Sequence, residues 1–230
     1  MGHPTIAFWD RTYQEDPDFF GEGASSLARS SLGLLAREMS GGSIVELGCG
    51  TGRDLGYFAQ HGFEVAGCDL SAVGVRVANL RLSALRQEVP PRSRVAFRDA
   101  LRFLADLPEG RTDAVFSNLF FNQEVDAERL RRLFHGVVRV LRPEGLHLFA
   151  VRSTGDAWYG RGTALGGDVF DPGAGSPPLR FFDEASLREL TAEEFTVHSL
   201  REHPDGGADF PVVVWSAVTR RRVGASLSRP

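Results

Sequence analysis

Lysine is missing from this sequence: all 26 residues counted as Lys or Arg are arginine. A lysine Schiff base or lysine general base is excluded. Cysteine is scarce, with Cys49 and Cys68 alone. Two cysteines make no disulfide framework, and both are expected as free buried thiols. No Cys/His cluster has zinc spacing, so no metal is expected. No run approaches the ~20 apolar residues of a membrane span. The first sixteen residues have no basic stretch followed by an apolar one, and the expected location is cytoplasmic. Positive charge is also short, the formal net charge being −4. A sequence-independent grip on nucleic acid needs a basic face, so no nucleic-acid partner is expected. The run Arg220-Arg221-Arg222 is brief and reads as solvated.

What is present is an ordinary globular composition, 42% hydrophobic and 24% charged. A chain of 230 residues suits one α/β domain with additions. From residue 43 onward, short apolar runs alternate with helical patterns, the signal of βαβ units and a parallel sheet. Strands are predicted at 44–47, 63–70, 94–99, 113–118 and 146–152. Helices are predicted at 53–61, 73–85, 100–107 and 126–141, with Ser71 capping the second. Residues 142–145, Arg-Pro-Glu-Gly, read as a turn. The stretch 153–178 is rich in Gly, Pro and Asp and reads as a long functional or disordered loop. A helix at 183–194 follows. Two β-rich runs, 195–203 and 210–219, are joined by Pro-Asp-Gly-Gly-Ala-Asp as a hairpin. The first forty residues lie outside this pattern: an aromatic-rich segment, then a helix at 25–39. They read as a cap over residues 1–42. The main domain then spans 43–222, with an insertion at 153–180 and a flexible tail at 223–230.

The sharpest signal is Glu46-Leu47-Gly48-Cys49-Gly50-Thr51-Gly52, placed after a strand and before a helix. Glycines let a ligand touch the main chain. The helix start adds free N–H groups and a positive dipole end. Acids and amides follow in order at the ends of successive strands: Asp69, 23 residues after Glu46, then Asp99, then Asn118. A carboxylate at Asp69 can accept both hydroxyls of a ribose. One at Asp99 can accept the amino group of adenine. All these ends lie along one edge of a parallel sheet, so the polar groups converge.

With these residues the chain resembles the class I S-adenosylmethionine-dependent methyltransferases. The E-x-G-x-G-x-G motif stands at 46–52, the second-strand acid is Asp69, the third is Asp99, and the LRPGG turn is Leu141-Arg142-Pro143-Glu144-Gly145. The resemblance implies an α/β, Rossmann-like, doubly wound sheet of seven strands. It would be mostly parallel, with the last strand inserted antiparallel and an N-terminal helical cap. It implies S-adenosyl-L-methionine as cofactor. Gly48, Cys49 and Gly50 would meet the methionine portion, Asp69 and Leu70 the ribose, Asp99 and Ala100 the adenine, and Asn118 and Leu119 the sulfonium. Glu46, Asp54 and Ser71 complete that set. The opening Phe-Trp-Asp-Arg-Thr-Tyr and the tail Arg-Phe-Phe-Asp-Glu are similar to the thiopurine and tellurite-resistance type. In that group N-terminal aromatics close over the donor, which implicates Trp9 and Tyr13.

Methyl transfer to a small molecule with an N, O or S nucleophile is therefore the leading expectation. Arginine usage and the long insertion suggest specialised metabolism. Candidates for positioning the acceptor or taking its proton are Asp156, Tyr159 and His203. Three other readings stay open. A nucleic-acid or protein methyltransferase is one, the nucleic-acid reading being disfavoured because Asn118-Leu119-Phe120-Phe121 lacks the proline pair of the amino-methylating signature. A nicotinamide oxidoreductase is disfavoured by the glycine spacing. A nucleoside-binding module without turnover would keep the same binding residues. Monomer and homodimer are both open, since helix 25–39 has a face to bury on its own sheet or on a partner.

Overall fold

The computed structural model describes residues 4–85, 93–173, 175–206 and 211–224. Residues 207–209 of the predicted hairpin turn, the first residue of the predicted last strand, and 225–230 of the predicted tail lie outside them.

The apolar runs of the βαβ region form the predicted strands within two residues, except that the fifth starts five residues early. They are β1 (Ser43–Leu47), β2 (Glu64–Asp69), β3 (Arg94–Phe97), β4 (Thr112–Asn118) and β5 (Leu141–Arg152). The intervening patterns form α3 (Arg53–Gln60), α4 (Ala72–Ala84), α5 (Ala100–Asp106) and α6 (Ala127–Val140). Short polar side chains start the helices by accepting orphan backbone N–H groups: Ser71 from Gly74 and Asp99 from Arg102. After α7 (Glu184–Thr191) come β9 (Phe195–Asp205) and β10 (Val212–Arg221).

The seven-stranded sheet has the order β3-β2-β1-β4-β5-β10-β9. Pairing is parallel from β3 through β5, while β10 runs antiparallel to both β5 and β9. The last strand is thus inserted, as expected. The chain order reverses direction between β1 and β4, so a crevice opens at their carboxyl ends.

Both faces are covered. Along β1, Ile44 joins a core with Leu35 and Phe58, while its neighbour Val45 joins one with Leu133 and Phe134. Along β5, Leu148 and Phe149 divide in the same way. This period of two is what a strand buried on both sides dictates. At the N-terminus, α1 (Pro4–Glu15) precedes α2 (Ser26–Met39). Leu27, Ala28, Leu35 and Met39 of α2 enter the first core, so this helix buries its face on its own sheet.

Two expectations need correction. The turn at 142–145 lies within β5, where Thr112 pairs with Leu141 and Ala114 with Leu146. The extra residues bulge out, with Glu144 at φ 66°. The stretch 153–178 is not an unstructured loop. With the two residues that follow, it builds a second, three-stranded sheet from β6 (Thr163–Gly166), β7 (Val169–Asp171) and β8 (Leu179–Arg180). Its strands are two to four residues long, too short to show a readable alternation in sequence.

Candidate cofactor and acceptor site

Strand β1 ends at Leu47, and the chain turns through Gly48, Cys49 and Gly50 into α3. Gly48 has φ 66° and Gly50 φ 52°, left-handed values that glycine adopts without strain. The chain's own side chains crowd them. A Cβ on Gly48 would run into the Phe120 ring, and one on Gly50 would lie 2.7 Å from the Tyr13 hydroxyl oxygen. Across the crevice β4 ends at Asn118, and Leu119 takes φ 58°. That conformation is uncommon for a leucine. It is anchored by Leu119 N–H donating to the Ala150 carbonyl at 2.9 Å.

Asp69 closes β2 and ties the turn to it. One carboxylate oxygen accepts from Gly50 N at 2.8 Å, the other from Ser71 N at 2.7 Å. Burial raises its pKa above the usual aspartate value, against the opposing pull of those N–H groups. Glu46 is 3% exposed and its Oε2 has no partner among the described residues. Burial, then the nearby Asp54, push its pKa well up. Burial and the adjacent Asp69 do the same to the Tyr13 phenol. Burial first, then Asp69, likewise raise the Cys49 thiol. Cys49 and Cys68 are free and buried, as expected.

The N-terminal segment is fastened over this turn by polar bonds. Asp10 accepts from the Ser71 hydroxyl at 2.6 Å and from Val73 N at 3.2 Å. The Thr51 hydroxyl donates to the Pro17 carbonyl at 3.0 Å, and Arg53 donates to the Phe20 carbonyl. Asp54 accepts from Ser25 N at 2.6 Å. Above them Trp9 stacks on Tyr13, with ring centroids 5.6 Å apart. Sequence reasoning passed over Asp10 and Arg53. An acid between aromatic residues was the available signal for the first, but its partner lies 61 positions away.

Together these elements enclose a cavity of about 590 Å³. All fourteen residues expected to hold a cofactor line it. Trp9 and Tyr13 lie on the cap side. Glu46, Gly48, Cys49, Gly50 and Asp54 lie at the turn. Asp69, Leu70, Ser71, Asp99 and Ala100 lie along one wall, and Asn118 and Leu119 on the other. Phe19, Phe20, Phe120, Trp158 and Leu179 extend it with apolar surface.

The three residues considered for catalysis do not line this cavity. Asp156, 4% exposed, accepts from Arg152 at 3.0 Å, from Trp158 N at 2.8 Å and from Val213 N at 2.8 Å. It holds the insertion to β5 and β10. The Tyr159 hydroxyl donates to Asp168 at 2.8 Å, with Phe170 and Phe181 against its ring. His203 sits on edge strand β9, its nitrogens 2.9 Å from the Pro204 carbonyl and 2.8 Å from the Ser216 hydroxyl. Each is held by its own surroundings rather than presented to a ligand.

Residues 44–145 match the family model described as a methyltransferase domain. The chain carries a methyltransferase domain. The site's residues fit S-adenosylmethionine as the cofactor of such a domain. The buried acids Glu46, Asp54 and Asp69 surround a turn whose unpartnered Glu46 oxygen suits a cationic ligand, and this cofactor carries a sulfonium and an ammonium. The domain's fold recurs in solved structures. One is a Burkholderia thailandensis 1,6-didemethyltoxoflavin-N1-methyltransferase, described with its substrate and S-adenosylhomocysteine bound. It is 18% identical over 96% of this chain and 88% of that one, with a TM-score of 0.70. The [4+2]-cyclase SpnF is 18% identical over 96% and 94%, with a TM-score of 0.64. TehB from Haemophilus influenzae is 17% identical over 84% and 62%, with a TM-score of 0.59. At such identities the likeness shows the fold. No curated protein matches the sequence. Among the described residues no helix is long and apolar enough to cross a membrane, and no group of three or more His, Cys, Asp or Glu residues is placed to hold a metal.

Proposed function

We propose that this methyltransferase domain transfers a methyl group to a small organic acceptor with an N, O or S nucleophile, in specialised metabolism. The carrying observation is the continuity of one cavity from the glycine turn to the aromatic surface of Phe19, Phe20, Phe120 and Trp158. A pocket of this size, with aromatic surface beside polar and charged groups, suits a metabolite. The net charge of −4 supports the same reading over nucleic acid.

The cofactor supplies an electrophilic methyl on a sulfonium. The chain's part is to hold and align. Asp69 would accept the ribose hydroxyls and Asp99 the purine amino group. Glu46 would complement the amino-acid end, and Trp9 and Tyr13 would exclude water from above. In-line displacement asks for a nucleophile held at ~3–3.5 Å along the breaking bond. The aromatic lining provides that alignment for a planar acceptor. Asp156, Tyr159 and His203 are not assigned the acceptor's proton, because they stand outside the cavity wall.

Calorimetric titration with S-adenosylhomocysteine tests the cofactor site. Asp69→Asn, which removes charge while keeping one acceptor oxygen, is expected to weaken binding roughly tenfold or more. Intact protein that binds no adenosyl compound would end the proposal. Binding without turnover across amines, phenols and thiols would favour the nucleoside-binding reading.

A further inference from the structure

The Asp99 carboxylate does not stand alone at the cavity wall. It lies two residues past β3 and caps α5, with Oδ1 accepting from Arg102 N at 3.2 Å. Its Oδ2 accepts from Arg129 Nη2 at 2.6 Å. The same guanidinium donates through Nε to Glu124 Oε2 at 2.7 Å. Arg129 projects from the first turn of α6, and Asp99, Glu124 and Arg129 all line the cavity. Glu124 is in turn held from the insertion, since Arg180 of β8 donates to its carbonyl at 2.8 Å. One planar guanidinium therefore joins the end of β3 to the loop after β4.

A guanidinium presents its donors in a fixed fork, so it sets the plane of a carboxylate where an ammonium would not. Burial alone would raise the pKa of Asp99, but hydrogen bonds from Arg129 and Arg102 outweigh it and hold the carboxyl below its ordinary range. An ionised carboxylate only accepts hydrogen bonds. It welcomes the amino group at position 6 of adenine and opposes the oxygen at position 6 of hypoxanthine.

We propose that Arg129 is the positioning residue for purine recognition: it fixes the Asp99 carboxylate so that the site selects a 6-amino over a 6-oxo purine nucleoside. This rests on the reading that the adenosyl cofactor lies with its base at Asp99. A surface ion pair with no such role would contribute little and would not discriminate between bases.

The test is calorimetric titration of the full chain with S-adenosylhomocysteine and S-inosylhomocysteine. Wild type is expected to bind the adenosyl compound at least tenfold more tightly. Arg129→Met is expected to bring the two affinities within about threefold, mainly through weaker adenosyl binding. Arg129→Lys, which keeps charge without the fork, should recover only part of the ratio. Asp99→Asn keeps a capping side chain and adds a donor, so it should remove or invert the preference. In that background Arg129→Met should change the ratio no further. Equal weakening of both ligands by Arg129→Met, or an unchanged ratio, overturns the proposal. Wild type that binds both ligands equally overturns it too, while leaving the cofactor reading intact. Wild type that binds neither overturns both.

Discussion

Tyr13 and Gly50 show how tightly single residues are specified here. With φ 52° and the tyrosine oxygen 2.7 Å from its added Cβ, Gly50 tolerates no side chain. Gly50→Ala is expected to cost about 1–3 kcal/mol, measured by urea unfolding. Adding Tyr13→Phe should return part of that cost, because the nearest obstructing atom is gone. His147 sets a second residue-scale expectation. It is fully buried on β5 with the rings of Phe121, Phe134, Phe149 and Phe195 beside it, and neither ring nitrogen has a partner among the described residues. Burial lowers its pKa from 6.5 to about 3. The unfolded chain takes up this proton below pH 6.5, while the folded chain refuses it until about pH 3. Stability must therefore fall as pH falls through that window. Between pH 7 and pH 5 the loss from this group is about 2 kcal/mol. Urea unfolding of His147→Leu at both pH values should show a smaller difference than wild type by that amount. An equal difference would place the proton elsewhere.

At the scale of elements, the insertion is the part that sequence pattern misjudged. Its composition of Gly, Pro and Asp is that of a loop, yet three short strands form because Asp156 pins one end and Arg180 the other. Asp156 takes one bond from Arg152 and two from backbone N–H groups, none of them visible as a periodic pattern. Asp156→Ala removes the anion beside a buried arginine and leaves buried donors unmet. The expected cost is about 3 kcal/mol, read by thermal unfolding, with faster proteolysis of residues 153–180. A variant of unchanged stability would show that the ion pair does not hold the insertion. The helices were more legible. Ser71, Asp99 and Asp126 each cap one by local bonds three residues long, and such signals survive in sequence because both partners are near.

For the whole molecule, folding and ligand binding are linked. A ligand at 100 times its dissociation constant adds ~2.7 kcal/mol to the stability of the state that binds it. S-adenosylhomocysteine should therefore raise the melting temperature of the full chain, and Asp69→Asn should show a much smaller rise at the same concentration. A rise with NADH and none with the adenosyl compound would reverse the assignment of the glycine turn. The sequence by itself determined the succession of parallel strands and helices and the sheet edge at which the cofactor cavity lies, while the strand order came from the tertiary structure. Strand periodicity, a glycine turn and strand-end acids are local features, and parallel βαβ units carry such ends to one edge by their right-handed connection. Only the tertiary structure decided which side chains meet there: Tyr13 over Gly50, Asp10 on Ser71, Arg129 on Asp99, and Asp156 away from the site. Those pairings join residues 30 to 61 positions apart, and distances of that kind are set by packing rather than by any repeat along the chain.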